Sequence, residues 1–114
     1  MEGLNFINKE LAMENCMNDE EFFKEMLCSF VDDSKLEDLK AAFSEKDYDT
    51  FGLLAHAVKS QSRIIGASAL QQESYAMEQA SDNKDYAYIK ANIDAYIACY
   101  ERILGKIKEV VSHT

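Results

Sequence analysis

Not one of the 114 residues is proline, and only four are glycine. Proline removes a backbone donor and breaks helix interiors, and glycine weakens them. A chain this free of both is predicted to be almost wholly helical. Its content of Ala, Leu, Glu, Lys, Gln and Met points the same way. The length fits a single domain over residues 1–114. With 47% hydrophobic residues, there is enough apolar material for one core.

Apolar spacing divides the chain into five predicted helices. The first is short, about residues 5–15, with Phe6, Ile7 and Leu11 as its contacts. Asp19 suits the N-cap of the second, and Glu20 and Glu21 suit the positive end of its dipole. Phe22, Phe23, Met26, Leu27, Phe30 and Val31 recur at three-to-four spacing, which marks one buried face. Leu36, Leu39 and Phe43 continue that spacing beyond Asp32-Asp33-Ser34, a polar patch that reads as either a kink or a solvated face; one long helix ending near Lys46 is the favoured reading.

Asp47 caps a third helix from Tyr48 to about Ile65. Its apolar set is Phe51, Leu54, Ala55, Val58 and Ile65, and Gly66 stands where a helix commonly stops. Ser68 and Gln71 have capping-box spacing and start a fourth helix with Leu70, Met77 and Ala80 inward. A fifth runs from about Asp85 to Val111. Its stripe of Tyr86, Ile89, Ile93, Tyr96, Ile97, Tyr100, Ile103, Leu104, Ile107 and Val110 is the most regular in the chain. Connections this short favour antiparallel neighbours. The expected fold is all-α: an antiparallel up-down four-helix bundle with a short additional N-terminal helix.

A net charge of −9 repels nucleic-acid phosphates and anionic lipid, so neither is expected as a partner. No run of about 18 apolar residues is present, as a membrane span would need. Met1-Glu2-Gly3-Leu4 lacks the basic start of a signal peptide, so a cytoplasmic protein is expected. The Met1 start and the finished fifth helix suggest a stand-alone protein, expected to be monomeric. Cys16, Cys28 and Cys99 are odd in number and form no CxxC pair, which supports neither a disulfide framework nor a zinc motif. Each is expected to act as a small buried hydrophobe.

Chemistry is written on one face of the third helix. Residues three, four and seven apart share a face, so Gly52, His56, Lys59, Ser60 and Arg63 line up. At roughly 100° per residue, His56 lies about 200° from Leu54 and Val58 and should point to solvent. Gly52 and Ser60 are small and leave the imidazole clear. A mid-helix glycine costs about 1 kcal/mol, tolerable where another backbone must approach closely. Lys59 and Arg63 follow one and two turns on, ready for an anion. Residues 50–72 contain no Asp or Glu, although the chain has 21 of them. An acid-free, mildly basic window on an acidic protein focuses its field on a negative group.

An imidazole is largely neutral and nucleophilic near pH 7 and can form covalent intermediates. Phosphoryl transfer needs mainly positioning and charge stabilisation. An exposed imidazole beside a lysine therefore suffices if a partner brings the metal. His113, at the C-terminus, has no convergent neighbours and is read as an ordinary surface residue.

At these residues the chain resembles the histidine-containing phosphotransfer (HPt) family. The family pattern is His-x-(apolar)-Lys-Gly, five residues, Gly-Ala, and a leucine three further on. His56-Ala57-Val58-Lys59-Ser60 is followed by Gly66-Ala67 and Leu70 at matching spacing. The apolar helix from Phe22 to Phe30, the Asp47 turn and Met77-Glu78 also fit. The resemblance implies that His56 is the phosphoaccepting nucleophile and that Lys59 positions the phosphoryl group. Gly52, Ser60, Arg63 and Gly66 would lie at the partner-binding surface. Ser60 departs from the family glycine but is small enough to keep partner approach.

The resemblance further implies a phosphoryl carrier with no kinase or hydrolase activity of its own. It would relay between aspartates of response-regulator receiver domains, and a hybrid sensor histidine kinase that bears such a domain is among the partners the resemblance implies. The receiver would supply the divalent metal, Mg²⁺, and the chain itself would hold none. Two other readings stand beside it. A carboxylate-bridged metal enzyme needs Glu-x-x-His pairs on two helices, but Leu53 and Val110 occupy the positions three before His56 and His113. A non-catalytic module that keeps the fold but not phosphotransfer remains the alternative.

Overall fold

The computed structural model describes residues 7–112. These residues form helices and connections with no strand: α1 Lys9–Asn15, α2 Glu20–Asp32, α3 Leu36–Ser44, α4 Tyr48–Ile64, α5 Ser68–Asp82 and α6 Tyr86–Ser112. No helix among them is long and apolar enough to cross a membrane. The all-helical expectation holds; Asp19 and Asp47 cap helix starts as expected, and Asp85, expected only as the approximate start of its helix, does the same. Asp19 accepts from the amides of Glu21 and Phe22, Asp47 from Thr50 and Asp85 from Tyr88.

Three expectations about the elements are corrected. Asn8 caps α1 through the Leu11 amide, so that helix begins at Lys9; Asn5 and Phe6 lie outside the described residues, as does His113. Ala12 is its buried residue, whereas Leu11 stays exposed. The expected long second helix is two helices. Between α2 and α3, polar side chains take over the backbone groups that a continuous helix would pair internally. Leu36 donates to Ser34 Oγ at 3.2 Å, Lys35 donates its amide to Tyr100 Oη at 2.9 Å, and Gln61 Nε2 donates to the Asp33 carbonyl at 3.2 Å. The third correction is the capping box. Ala67 takes the N-cap position of α5 without a side-chain bond, and Ser68 is already helical.

One turn design closes α3, α4 and α5. A single residue adopts the left-handed conformation: Lys46, Gly66 and Lys84, with φ of 60°, 76° and 57°. The next amide then bonds back to a carbonyl five residues earlier: Asp47 to Ala42, Ala67 to Ser62 and Asp85 to Ala80. That pattern satisfies orphan carbonyls at the helix end. The residue making this bond is also the N-cap of the next helix, which is why the connections are so short.

Lysine serves at two of these positions, but position 66 requires glycine. A Cβ there would stand 2.5 Å from the carbonyl oxygen of Asn8. The Asn8 amide itself donates to the Gly66 carbonyl at 2.8 Å. Asn15 Nδ2 adds a bond to the Arg63 carbonyl at 3.0 Å. Thus α1 pins the end of α4.

Among the helix pairs, α4 packs most extensively on α5; α6 covers α5 and α2, and α3 lies on α4. Phe23, Leu27, Phe51, Tyr96 and Tyr100 fill the centre. Buried hydroxyls are satisfied, as in the Ser74–Tyr96 bond of 2.8 Å. In the α4 stripe Phe51, Ala55, Val58 and Ile65 are buried, while Leu54 is half-buried at the margin. Cys16 and Cys99 are buried as expected, but Cys28 is exposed, because it lies off the Phe23–Leu27–Phe30 stripe of α2. Burial pushes the Cys99 thiol up to about 12, so it behaves as a hydrophobe.

Two glycine substitutions test this packing in opposite directions. Gly66→Ala forces a side chain into left-handed backbone and against Asn8, and is expected to cost at least about 1–2 kcal/mol. Gly105 lies in mid-helix with nothing within 4 Å of an added Cβ. Gly105→Ala is expected to stabilise by about 0.5–1 kcal/mol. Urea unfolding of the two variants measures both signs.

Candidate functional site

Helix α4 carries His56 outward, with 57% of its side chain exposed. The helical period predicts this, because Val58, about 200° round the helix from His56, is buried. Lys59, one turn on, turns towards α5 and keeps only 25% exposure. Both meet Glu78, which α5 brings in at 16% exposure. Each carboxylate oxygen takes one partner. Glu78 Oε2 is bonded by His56 Nδ1, and Glu78 Oε1 by Lys59 Nζ at 2.7 Å. The Lys59 ammonium also sits 5.3 Å from the centroid of the Tyr75 ring.

The acid-free window is therefore a local fact only. Residues 50–72 contribute no negative side chain, yet α5 places one in contact with both the imidazole and the ammonium. Sequence reasoning gave Glu78 no role, although Met77-Glu78 belongs to the matched pattern. Nothing within the α4 segment signals it, since His56 and Glu78 are 22 residues apart.

Burial acts to raise the Glu78 pKa, but hydrogen bonds and charge from Lys59 and His56 outweigh it. The net effect holds this carboxyl below its ordinary value of 4.5. An ionised carboxylate only accepts hydrogen bonds. His56 Nδ1 must therefore carry a hydrogen and donate it, so that in the neutral imidazole the lone pair lies on Nε2. The arrangement fixes one tautomer, orients the ring and can stabilise positive charge on it, as a carboxylate does behind a catalytic histidine.

The remaining site residues divide. Arg63 is exposed in the last turn of α4, but seven residues of helix put it roughly 10 Å along the axis from His56. Ser60, four residues after His56, is half-buried. Gly52 and Gly66 are both buried, which corrects the expectation that they face a partner. A Cβ on Gly52 would lie 2.3 Å from Ser81 Oγ, and that hydroxyl donates to the Tyr48 carbonyl at 2.7 Å. The close approach that Gly52 permits is to α5 within the chain. Gly66 is covered by Asn8.

In place of these glycines, the open face includes Leu53, three residues before His56 and 73% exposed. Its signal in the sequence was an apolar residue off the buried stripe. Among the described residues no group of three or more His, Cys, Asp and Glu side chains could hold a metal ion.

The Lys59–Glu78 ion pair and the His56 hydrogen bond predict an acid limb of stability. Because the folded Glu78 pKa is depressed, its contribution is fully present above about 4.5 and is lost as pH falls through the lower folded value. Thermal unfolding of wild type and Glu78→Gln should differ near neutrality and converge as pH falls below 4.5. A constant difference across that range would show that the carboxylate's charge contributes nothing.

A model of the Hpt domain matches residues 24–104, a span that contains His56, Lys59 and Glu78 together. No curated protein matches the chain. No solved structure matches it either. With most of its length matched and the histidine of the motif standing exposed, the chain belongs to the Hpt domain family, the phosphotransfer domains of two-component signalling.

Proposed function

We propose that this chain carries a phosphoryl group on His56 Nε2, taking it from an aspartyl phosphate of one response-regulator receiver domain and giving it to the aspartate of another. The single observation that supports this most is the exposed imidazole whose Nδ1 is held by an ionised carboxylate, with Nε2 left available. In the forward step the Nε2 lone pair forms a bond to phosphorus. The bond from phosphorus to the aspartyl oxygen breaks, and its electron pair stays on the carboxylate. The imidazole ring gains positive charge, which Glu78 offsets through the Nδ1 hydrogen. Lys59, 2.7 Å from Glu78, is placed to share its ammonium with the phosphoryl oxygens. The return step reverses these changes, as a carrier requires.

The divalent metal, Mg²⁺, belongs to the receiver in this proposal, and the chain needs no cofactor of its own. Leu53 is a docking contact for the receiver, because an exposed leucine one turn before His56 gains apolar burial when a partner covers it. Arg63 and Ser60 lie further along the same helix, where a partner of receiver size reaches them. One of the receivers can belong to a hybrid sensor histidine kinase. Binding is transient, since a relay must release each partner. We place the chain in the cytoplasm as a monomer, folded as one domain: an antiparallel up-down bundle in which α2 and α3 share one of four positions and α1 is the additional helix.

The test is transfer of radiolabel from a phosphorylated receiver. Wild type is expected to take the label and His56→Gln to take none. Lys59→Ala is expected to fold normally, by circular dichroism, and to transfer more slowly. Label on His56→Gln, or none on wild type with a proven cognate receiver, would overturn the relay. The second outcome would favour the non-catalytic interaction module.

A further inference from the structure

We propose that Tyr75 is a positioning residue for phosphotransfer at His56, acting through Lys59 by holding its ammonium against the aromatic face. Resting on the relay role of His56, this adds to it a residue outside the matched motif.

Tyr75 is a large aromatic side chain left 52% exposed on α5. Its neighbours in the helix, Ser74 and Met77, are buried, so core packing is carried by others. It lies three residues before Glu78 and therefore on the same side of the helix. The Lys59 Nζ sits between them, 2.7 Å from Glu78 Oε1 and 5.3 Å from the Tyr75 centroid. Ser68, Gln71 and Gln72 complete the recess around this pair. None of these three carries a charge, so the ring is the second electrostatic partner of the ammonium.

A lysine has a flexible four-carbon stem and a strongly hydrated ammonium. Held by Glu78 alone, it could swing about one contact. The face of an aromatic ring attracts a cation and is itself stiff. Two contacts of different kind confine Nζ on the Glu78 carboxylate that also holds His56, and neither uses up all three of its hydrogens. The ammonium thus starts from one confined position one turn from His56 when a phosphoryl group arrives, and less ordering remains for the transition state.

The test compares Tyr75→Leu with Tyr75→Phe. Leucine keeps apolar bulk and removes the ring; phenylalanine keeps the ring and removes the hydroxyl. Phosphorylation of His56 is followed with phosphoramidate, a small donor that needs no receiver, and with a phosphorylated receiver. Tyr75→Leu is expected to be about two- to fivefold slower, the size of one exposed cation–aromatic contact. Tyr75→Phe is expected to restore the rate. In a Lys59→Ala background, Tyr75→Leu is expected to add no further loss, because the two act as a unit.

A second readout needs no phosphoryl donor. The Lys59 ε-methylene protons should show an upfield ring-current shift in wild type and Tyr75→Phe that Tyr75→Leu abolishes. Equal rates and unchanged shifts in Tyr75→Leu would overturn the proposal. So would Tyr75→Phe as slow as Tyr75→Leu, or a loss that persists without Lys59. If wild type takes no label from either donor, the relay fails, and the proton shifts still decide whether Tyr75 holds Lys59.

Discussion

The Glu78 carboxylate joins two helices and two functional groups at once. It is reached by His56 through one oxygen and Lys59 through the other, both from α4, while its own backbone belongs to α5. Burial disfavours its charge, and the two donors restore it. The ionised state then dictates the rest, because an acceptor-only carboxylate requires the hydrogen on Nδ1 and the lone pair on Nε2. The tautomer and orientation of the exposed imidazole thus depend on how closely α4 and α5 are held together.

That closeness is built by small residues and backbone bonds. Gly52 lets Ser81 reach the Tyr48 carbonyl, drawing the start of α4 towards the end of α5. At the other end, Gly66 makes the left-handed turn between the helices and leaves room for Asn8. Asn15 holds the last carbonyls of α4. The leading helix α1, short as it is, fixes this corner through Asn8 and Asn15. His56 and Glu78 lie between the two pinned ends, on a stretch where both helices are regular.

What could be read from the chain divides along the range of the interactions involved. The outward direction of His56 and the inward direction of Val58 follow from the helical period, which is local. The Gly66 turn was equally legible, since glycine after an apolar run is a local signal. Glu78 was not, because a charge-free window along one helix says nothing about what a neighbouring helix brings. The same holds for Gly52, where the small residue was visible but its close neighbour, Ser81, was not. The α2–α3 break depends on Tyr100 and Gln61, far along the chain, taking over backbone groups near Asp33. Periodicity sees the apolar residues continue and misses the change of direction.

The most direct test of the central claim is the site of the phosphorus on the histidine ring. After the ¹⁵N-labelled chain is phosphorylated by a receiver, coupling between ³¹P and the imidazole nitrogens identifies the bonded atom. Phosphorus on Nε2 of His56, with Nδ1 still carrying its hydrogen, is the predicted result. Phosphorus on Nδ1, or on any other residue, would contradict it.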